Sequence, residues 1–595
     1  MTPKLPNRAA LGFNDPFHDA SFARLDDTGL VHVELERFTR RKLERQSPLL
    51  GYLDLMPAGA LDGVAAIGVV EGDMLAPLFW RLALAKSAGA GAEMLTDHLL
   101  AGLTFNQDRP EEHVQGGLTH LGVLDRYRDG LLAFVTHALS PDVRVAVLGH
   151  HQCHTANAFL SSPFDEALSV SLDGGGYDFT GADGGRELIY GAAYQCTAVP
   201  FGMTRMPFAP DVTVAGAFSR IGTQVLDLHF GEEGTVMAMA AYGDPARLVA
   251  AMEPAWMWST HHVVGSDAGK AALEGQLQAL RRELKTNQDR FDLAAALQRH
   301  AEIKVRAQLS QVVTPATRAL CLSGGLFLNC QIVGQVQGWF PWLEHVYVPP
   351  APYDGGLSIG VAQLLRHGVM GVPTAQPAFM PFASGSFASG SFASGLSASV
   401  LDIIGACRAR RMEPVPATVA EVAGRLAAGQ VGARFEGGAE SGRRALGHRS
   451  ILADPRDGRV RDRINTLIKH RAAFRPLAPM VLSEQVHAWF QCAPGFASPN
   501  MSHAIPVRDS VVAQIPAVVH QDGTARVQTV HRALTPGLHD LLTAFAALTG
   551  VPVLLNTSFN DQEPIVQTPD QAVACFERTG LDFLYFAGPG LLLSR

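Results

Sequence analysis

A chain of 595 residues, 47% hydrophobic and 17% charged with a formal net charge of −8, has enough apolar material to fold but is too long for one hydrophobic core. It is therefore not a disordered protein, at least two domains are expected, and the acidic balance offers no basic stripe for a nucleic acid. The first residues, MTPKLPNRAALGFND, lack the pattern of a signal peptide and no run reaches the roughly 18 apolar residues of a bilayer span, so no membrane partner is expected.

In chain order, the first elements read as a meander of strands: Ala10 to Asn14, Ala20 to Leu25, the turn Asp26-Asp27-Thr28-Gly29, and Leu30 to Glu36. The polar loop between the first two strands suits a nucleotide or phosphate grip. Strand patterns return at Val143 to Leu148, Leu168 to Leu172 and Ala319 to Leu322, with helices between them, such as Leu273 to Leu284 and Phe291 to Gln311. That alternation predicts an α/β architecture.

The segment Gly149-His150-His151-Gln152-Cys153-His154 follows a strand and opens a helix. His150 and His154, four apart, share a helical face and can grip one metal ion. His151 points elsewhere, toward a substrate or phosphate; surface or capping roles are the alternative for all three. The next strand ends in Asp173-Gly174-Gly175-Gly176-Tyr177, and an aspartate before glycines recurs at Asp354-Gly355-Gly356. Each alone reads as a turn. With the histidines they complete a two-histidine, two-aspartate set whose mixed donors suit iron, manganese or zinc better than magnesium. Between them, an apolar strand from Cys321 leads through Gly324-Gly325 to Asn329 and a helix, a turn whose N–H groups can cradle phosphate.

Beyond Arg366 the pattern dissolves into Gly371-Val372-Pro373 and then a repeated Ser-Phe-Ala-Ser-Gly, which cannot bury much surface. The expected division is a domain over 1–370, a linker or insertion over 371–397 and a second domain over 398–595. The seven cysteines (Cys153, Cys196, Cys321, Cys330, Cys407, Cys492, Cys575) are odd in number, scattered and without a C-x-x-C pair, which argues against a disulfide framework and for a reducing cytoplasm.

The order of these segments, with His18-Asp19-Ala20-Ser21 and Glu36-Arg37-Phe38-Thr39-Arg40-Arg41-Lys42 ahead of them, resembles the N-terminal domain of the NodU/CmcH carbamoyltransferase family, which includes tobramycin, cephalosporin and nodulation-factor carbamoyltransferases. The later segments Phe435 to Arg456 (FEGGAESGRRALGHRSILADPR), Arg463 to Lys469, Phe474 to Pro479, Asp522 to Thr529 and Leu555 to Asn560 resemble the same family.

The resemblance implies an actin-like, TsaD-like (ASKHA) domain followed by a YrdC-like α/β domain. It implies an ATP-dependent O-carbamoyltransferase that makes carbamoyl adenylate from carbamoyl phosphate and ATP, then passes the carbamoyl group to a hydroxyl of a small-molecule natural product. The implied cofactors are ATP with Mg, carbamoyl phosphate as co-substrate, and one divalent metal, Fe(II) with Mn or Zn as alternatives, on His150, His154, Asp173 and Asp354. Gly324, Gly325, Asn329, Arg444, Arg449, Lys469, Arg475, Met501, Arg526, Asn556 and Ser558 are the implied nucleotide and carbamoyl-phosphate set. Both co-substrates are polyanions, and five cations in Gly-, Pro- and Asn-rich loops of an acidic chain suit them; singly, each would be a solvated surface residue and Met501 simple packing.

His18, an imidazole titrating near neutrality, is the candidate base for the acceptor hydroxyl, or else a cap of its loop. Lys42 stabilises phosphate charge or is one more solvated cation. The chain departs from the family at Thr235, where relatives carry lysine, at Ala238-Met239, where Gly-Leu is common, and at Tyr177, where the usual motif has glutamate. The rival readings are a tRNA or hydrogenase-maturation carbamoylation protein, disfavoured by the missing basic stripe and cysteine pairs, and a non-catalytic nucleotide and metal sensor. The acceptor is open, as is the oligomeric state, a homodimer being one option.

Overall fold

Two small sheets of one plan come first along the chain. β1 (Ala9–Asn14), β2 (Ser21–Asp26) and β3 (Gly29–Glu34) form an antiparallel meander, and β4 (Val64–Val70) and β5 (Arg144–Leu148) add parallel on the other side of β1, giving the order β3-β2-β1-β4-β5. β6 (Glu166–Phe179), β7 (Arg186–Thr197) and β8 (Gly202–Arg205) repeat the meander, and β9 (Ala319–Ser323) and β10 (His345–Tyr347) add parallel beside β6. Helices lie between the parallel neighbours β4 and β5 and between β9 and β10, as a parallel pair requires a crossover. The computed structural model describes residues 8–14, 18–44, 47–55, 61–73, 75–88, 91–97, 121–179, 185–208, 210, 212–254, 267–374 and 399–595.

The expected α/β elements are present with shifted ends. The helix read from Phe291 begins at Asn287, because Thr286 and Asp289 close a capping box ahead of it. The strand read as Leu168 to Leu172 continues to Phe179, with its register to β7 broken between Leu172 and Gly176. The bulge absorbs the glycines and lets pairing resume. The strand expected to reach Glu36 stops at Glu34, and Glu36 opens a short helix.

A third, mixed sheet of nine strands is built from residues after 397: β11 (Val415–Pro416), β12 (Gly432–Phe435), β13 (Arg449–Ala453), β14 (Ala478–Leu482), β15 (His503–Pro506), β16 (Thr524–Val530), β17 (Val553–Ser558), β18 (Phe583–Phe586) and β19 (Leu591–Ser594). Its own core includes Ile451, Met480, Val527, Leu554 and Phe586. The Ser-Phe-Ala-Ser-Gly repeat lies outside the described residues. Thr374, near the start of the expected linker, is buried and donates to the Ala198 carbonyl at 2.5 Å. Among the described residues no helix is long and apolar enough to cross a membrane.

The helix His150–Leu160 leaves β5 and packs on β6, while the helix Leu357–Gln363, after β10, packs on β1, β2 and the histidine helix. The ends of β1 and β6 therefore meet the starts of both helices between the two small sheets.

Candidate active site

His150 and His154 come from one turn of their helix, Asp173 from the bulge in β6, and Asp354 from the turn before the helix Leu357–Gln363. One ligand atom from each lies within 4.8 Å of all the others. His154 Nε2 is 3.0 Å from Asp173 Oδ2 and 3.4 Å from Asp354 Oδ1; His150 Nε2 is 3.5 and 3.8 Å from the same atoms. Burial opposes a charge on His154, but hydrogen bonds to Asp173 and Asp354 outweigh it and lift its pKa to about 9. Asp173, likewise buried, is held well below the usual carboxylate range by the two histidines.

The surroundings hold these groups in place. Asp173 Oδ1 accepts the N–H groups of Gly174 at 2.7 Å and Gly325 at 3.1 Å, which turns Oδ2 toward the cluster. Gly325, expected among the nucleotide contacts, thus serves the aspartate, and the Gly324 N–H donates to the Pro352 carbonyl at 2.6 Å. Gly176 is required by the His150 ring, since a Cβ there would lie 2.2 Å from His150 Cγ. His151, read as a substrate or phosphate contact, is instead locked beneath β6 and β7: Nδ1 pairs with Ser171 Oγ at 3.0 Å and Nε2 with the Ile189 carbonyl at 2.9 Å. Burial pushes its pKa well below normal, so it is neutral.

His18 lies in the loop between β1 and β2. Asn14, at the end of β1, ties that loop to the cluster by donating to the carbonyls of Asp354 at 2.7 Å and Asp19 at 3.3 Å. His18 Nδ1 pairs with Asp19 Oδ2 at 2.9 Å, and its ring centroid is 5.1 Å from that of Phe230. Burial opposes protonation, but the Asp19 bond and the Asp354 charge outweigh it and raise the pKa.

A second concentration of charge lies at the third sheet. Glu440 Oε1 accepts three backbone N–H groups, from Leu446, His448 and Arg449 at 2.7, 2.8 and 3.0 Å, and so folds the loop that presents Arg444. Burial, then the Arg526 charge, pulls the Arg444 pKa down to about 9. Burial, with the charges of Arg475 and Arg526, does the same to Arg471, also to about 9. Arg475 is lowered by burial and by Arg526, and Lys42 by desolvation and by Arg475, against the pull of Glu232 and Glu36 respectively. Burial lowers Arg526, whose Nε is enclosed without a partner. Each of Lys42, Arg444, Arg471, Arg475 and Arg526 thus feels the charge of at least one other of the five, and none of them forms an ion pair among the described residues.

Other residues of the expected set have partners within the chain. Arg449 donates to four carbonyls, those of Glu436 (2.6 Å), His448 (3.1 Å), Gly437 (2.7 Å) and Gln567 (3.3 Å), and stacks 3.5 Å over the Phe435 ring; it braces the loop from beneath. Lys469 is buried against Ser558, 2.8 Å from its carbonyl and 3.0 Å from its hydroxyl, and against the Asn560 carbonyl at 2.9 Å, so Lys469 and Ser558 satisfy one another. Asn329 caps the helix Cys330–Trp339 by accepting the Ile332 N–H at 3.2 Å and donates to Gln298 at 2.8 Å. Asn556 donates to the Ala445 carbonyl and to Gln528, both at 2.8 Å, and its buried Oδ1 has no partner. Met501 is buried against Leu446 and Ala478, on a backbone with φ of 55°.

Sequence reasoning passed over Arg471, although it stands between Lys469 and Arg475, both singled out. It also passed over Arg443, beside Arg444. At the family departures, Thr235 is buried with its hydroxyl unpartnered, and Tyr177 is 42% exposed.

Two family descriptions match this chain: "Carbamoyltransferase N-terminus" over residues 128–363 and "Carbamoyltransferase C-terminus" over residues 423–591. Nodulation protein NolO of Bradyrhizobium diazoefficiens is 33% identical over 460 residues, 75% of this chain and 79% of that protein. The uncharacterized protein sll1178 of Synechocystis sp. is 30% identical over 96% of this chain and 95% of its own length. The 3'-hydroxymethylcephem-O-carbamoyltransferase of Streptomyces clavuligerus is 32% identical over 55% of this chain and 58% of that enzyme.

Proposed function

The chain belongs to the carbamoyltransferase family, and we propose that it is an ATP-dependent O-carbamoyltransferase with separate activation and delivery sites. The observation that carries this reading is the group of five cations, their pKa values lowered by burial and by one another, that form no ion pair among the described residues. Like charges crowded in a desolvated space repel, and a polyanion relieves that repulsion. Carbamoyl phosphate and Mg-bound ATP are such anions. Their conversion to carbamoyl adenylate, phosphate and pyrophosphate, with uptake of one water, needs charge neutralisation more than covalent help. The partnerless Oδ1 of Asn556 is an acceptor suited to the carbamoyl NH2.

Delivery belongs to the cluster between the small sheets. His150, His154, Asp173 and Asp354 would hold one divalent metal: two carboxylates meet two imidazoles there without an Arg or Lys ion pair among the described residues, and the mixed donors favour Fe(II), with Mn or Zn as alternatives. When bound, that metal supplies Lewis-acid polarisation of the carbamoyl or phosphoryl oxygen. His18, with Nδ1 committed to Asp19, takes the acceptor proton on Nε2. Lys42 meets phosphate charge. The hydroxyl oxygen then bonds to the carbamoyl carbon and AMP leaves. The name of the cephem relative supports a small-molecule hydroxyl as acceptor.

The repeated β-meander plan supports an actin-like (ASKHA) domain over 1–370, and the cation-bearing mixed sheet a YrdC-like domain over 398–595. Use of ATP and carbamoyl phosphate, both cytoplasmic metabolites, favours a cytoplasmic location.

With ATP and carbamoyl phosphate supplied, a burst of pyrophosphate is expected from the wild type and from His18→Ala, with continued AMP release only from the wild type. A metabolite extract added to the wild type should yield a product heavier by one carbamoyl group. Loss of both half-reactions in His18→Ala would overturn the division of labour. A wild type that binds ATP without carbamoyl-phosphate-dependent pyrophosphate release would be a sensor.

A further inference from the structure

We infer that Arg443, from the C-terminal third of the chain, is a positioning residue for carbamoyl delivery: it fixes the Asp19 carboxylate, which fixes the ring of His18. The inference rests on the reading of His18 as the base. Arg443 Nη2 lies 2.8 and 2.7 Å from the two oxygens of Asp19, and Asp19 Oδ2 is the atom 2.9 Å from His18 Nδ1. Asp19 is buried on a left-handed backbone with φ of 60°, a conformation aspartate tolerates, so its carboxylate is held by side-chain partners in a desolvated setting.

Arg443 is itself anchored. Its guanidinium carbon stands 4.5 Å from the centroid of the Tyr353 ring, and the Tyr353 hydroxyl donates to Glu34. Glu34 accepts the Gly442 N–H at 2.9 Å, and Arg37 donates to the Gly442 carbonyl. His32 bridges Ser441 Oγ at 3.0 Å and the Gly355 carbonyl at 2.7 Å. Strand β3 and the turn carrying Asp354 therefore form a seat for residues 440–443, and the chain of contacts from that seat ends on His18.

An ionised Asp19 accepts only, so it holds the proton of His18 on Nδ1 and leaves Nε2 bare, the tautomer a base needs. Without Arg443 the buried carboxylate would lose its only ion pair to an arginine or lysine among the described residues, and with it the reason to stay ionised. The loop that presents Arg444 to the cations thus also completes the delivery site.

The test uses the full-length protein with ATP, carbamoyl phosphate and water as the acceptor, reading steady AMP release per mole of pyrophosphate burst, so that misfolded protein drops out of the ratio. Arg443→Ala and Asp19→Asn are each expected to lower that ratio about 10- to 100-fold, as loss of an orienting partner does. The double variant should be no slower than Asp19→Asn, and Arg443→Lys, which can still place one nitrogen on Asp19, should recover most of the loss. Multiplying losses in the double variant, or Arg443→Lys as slow as Arg443→Ala, would overturn the inference alone. Undiminished AMP release by His18→Ala would overturn the base assignment and this inference with it.

Discussion

Asp173 divides its two oxygens: Oδ1 is saturated by the N–H groups of Gly174 and Gly325, and Oδ2 faces the histidines. Asp173→Asn can keep the shape but must present either a neutral oxygen or an NH2 to the cluster. Protein purified with this substitution should carry less than half the wild-type metal content by elemental analysis. Full retention would remove Asp173 from the ligand set.

His503 gives a residue-scale prediction about stability. Enclosed between Ser498 and Ser502 and against the Phe496 ring, it is pushed by burial to a pKa of about 4. The folded pKa is below the unfolded value of about 6.5, so the unfolded chain takes the proton first. The stability tied to the neutral ring is intact above pH ~6.5 and declines as pH falls toward the folded pKa, by roughly 3 kcal/mol at about 1.4 kcal/mol per unit. Urea midpoints at pH ~7.5 and ~4.5 should differ less for His503→Gln than for wild type; equal differences would clear His503 of the effect.

At the scale of elements, the bulge in β6 is what the sequence concealed best. A strand that ends at a glycine run and one that bulges through it read alike, because local pattern does not reveal whether a neighbouring strand resumes pairing. The physical reason for the third glycine is the His150 ring lying against it. Gly176→Ala should displace that ring, lower metal content and cost about 1–3 kcal/mol, measurable as a lower thermal midpoint. The turn Gly324-Gly325 spends its N–H groups within the chain, on Pro352 and Asp173. N–H groups in such a turn serve any anion, and here the anion is the chain's own Asp173. By contrast, the spacing of His150 and His154 is a local property and was legible, whereas the capping box of Thr286 and Asp289, equally local, was passed over and the helix was read four residues late.

At the scale of the molecule, the third sheet is locked to the first two at several points besides Arg443. Asn500 donates to the Val348 carbonyl at 2.9 Å, Gln331 to Asp522 at 2.7 Å and Arg444 to the Leu328 carbonyl at 2.9 Å. The helix Cys330–Trp339 approaches β15 so closely that a Cβ on Gly334 would lie 1.9 Å from the Ala504 carbonyl oxygen. Gly334→Val must therefore push the sheets apart. Its AMP release per pyrophosphate burst is expected to fall at least tenfold, because residues 440–443 lose their seat. An unchanged ratio would show that delivery does not depend on this docking.

The sequence by itself determined the family, the α/β class and the four residues that converge between the small sheets, because these follow from local spacing and from the order of motifs. Only the tertiary structure decided which cations, among the described residues, are left without an ion pair. Arg449 and Arg475 look alike in sequence, yet one donates to the carbonyls of Glu436, Gly437, His448 and Gln567 while the other is buried within reach of the Glu232 and Arg526 charges and forms no ion pair among the described residues. The cause is non-local. A guanidinium takes whatever acceptors the fold brings within hydrogen-bond reach, and Gln567 is more than a hundred residues from Arg449 in sequence.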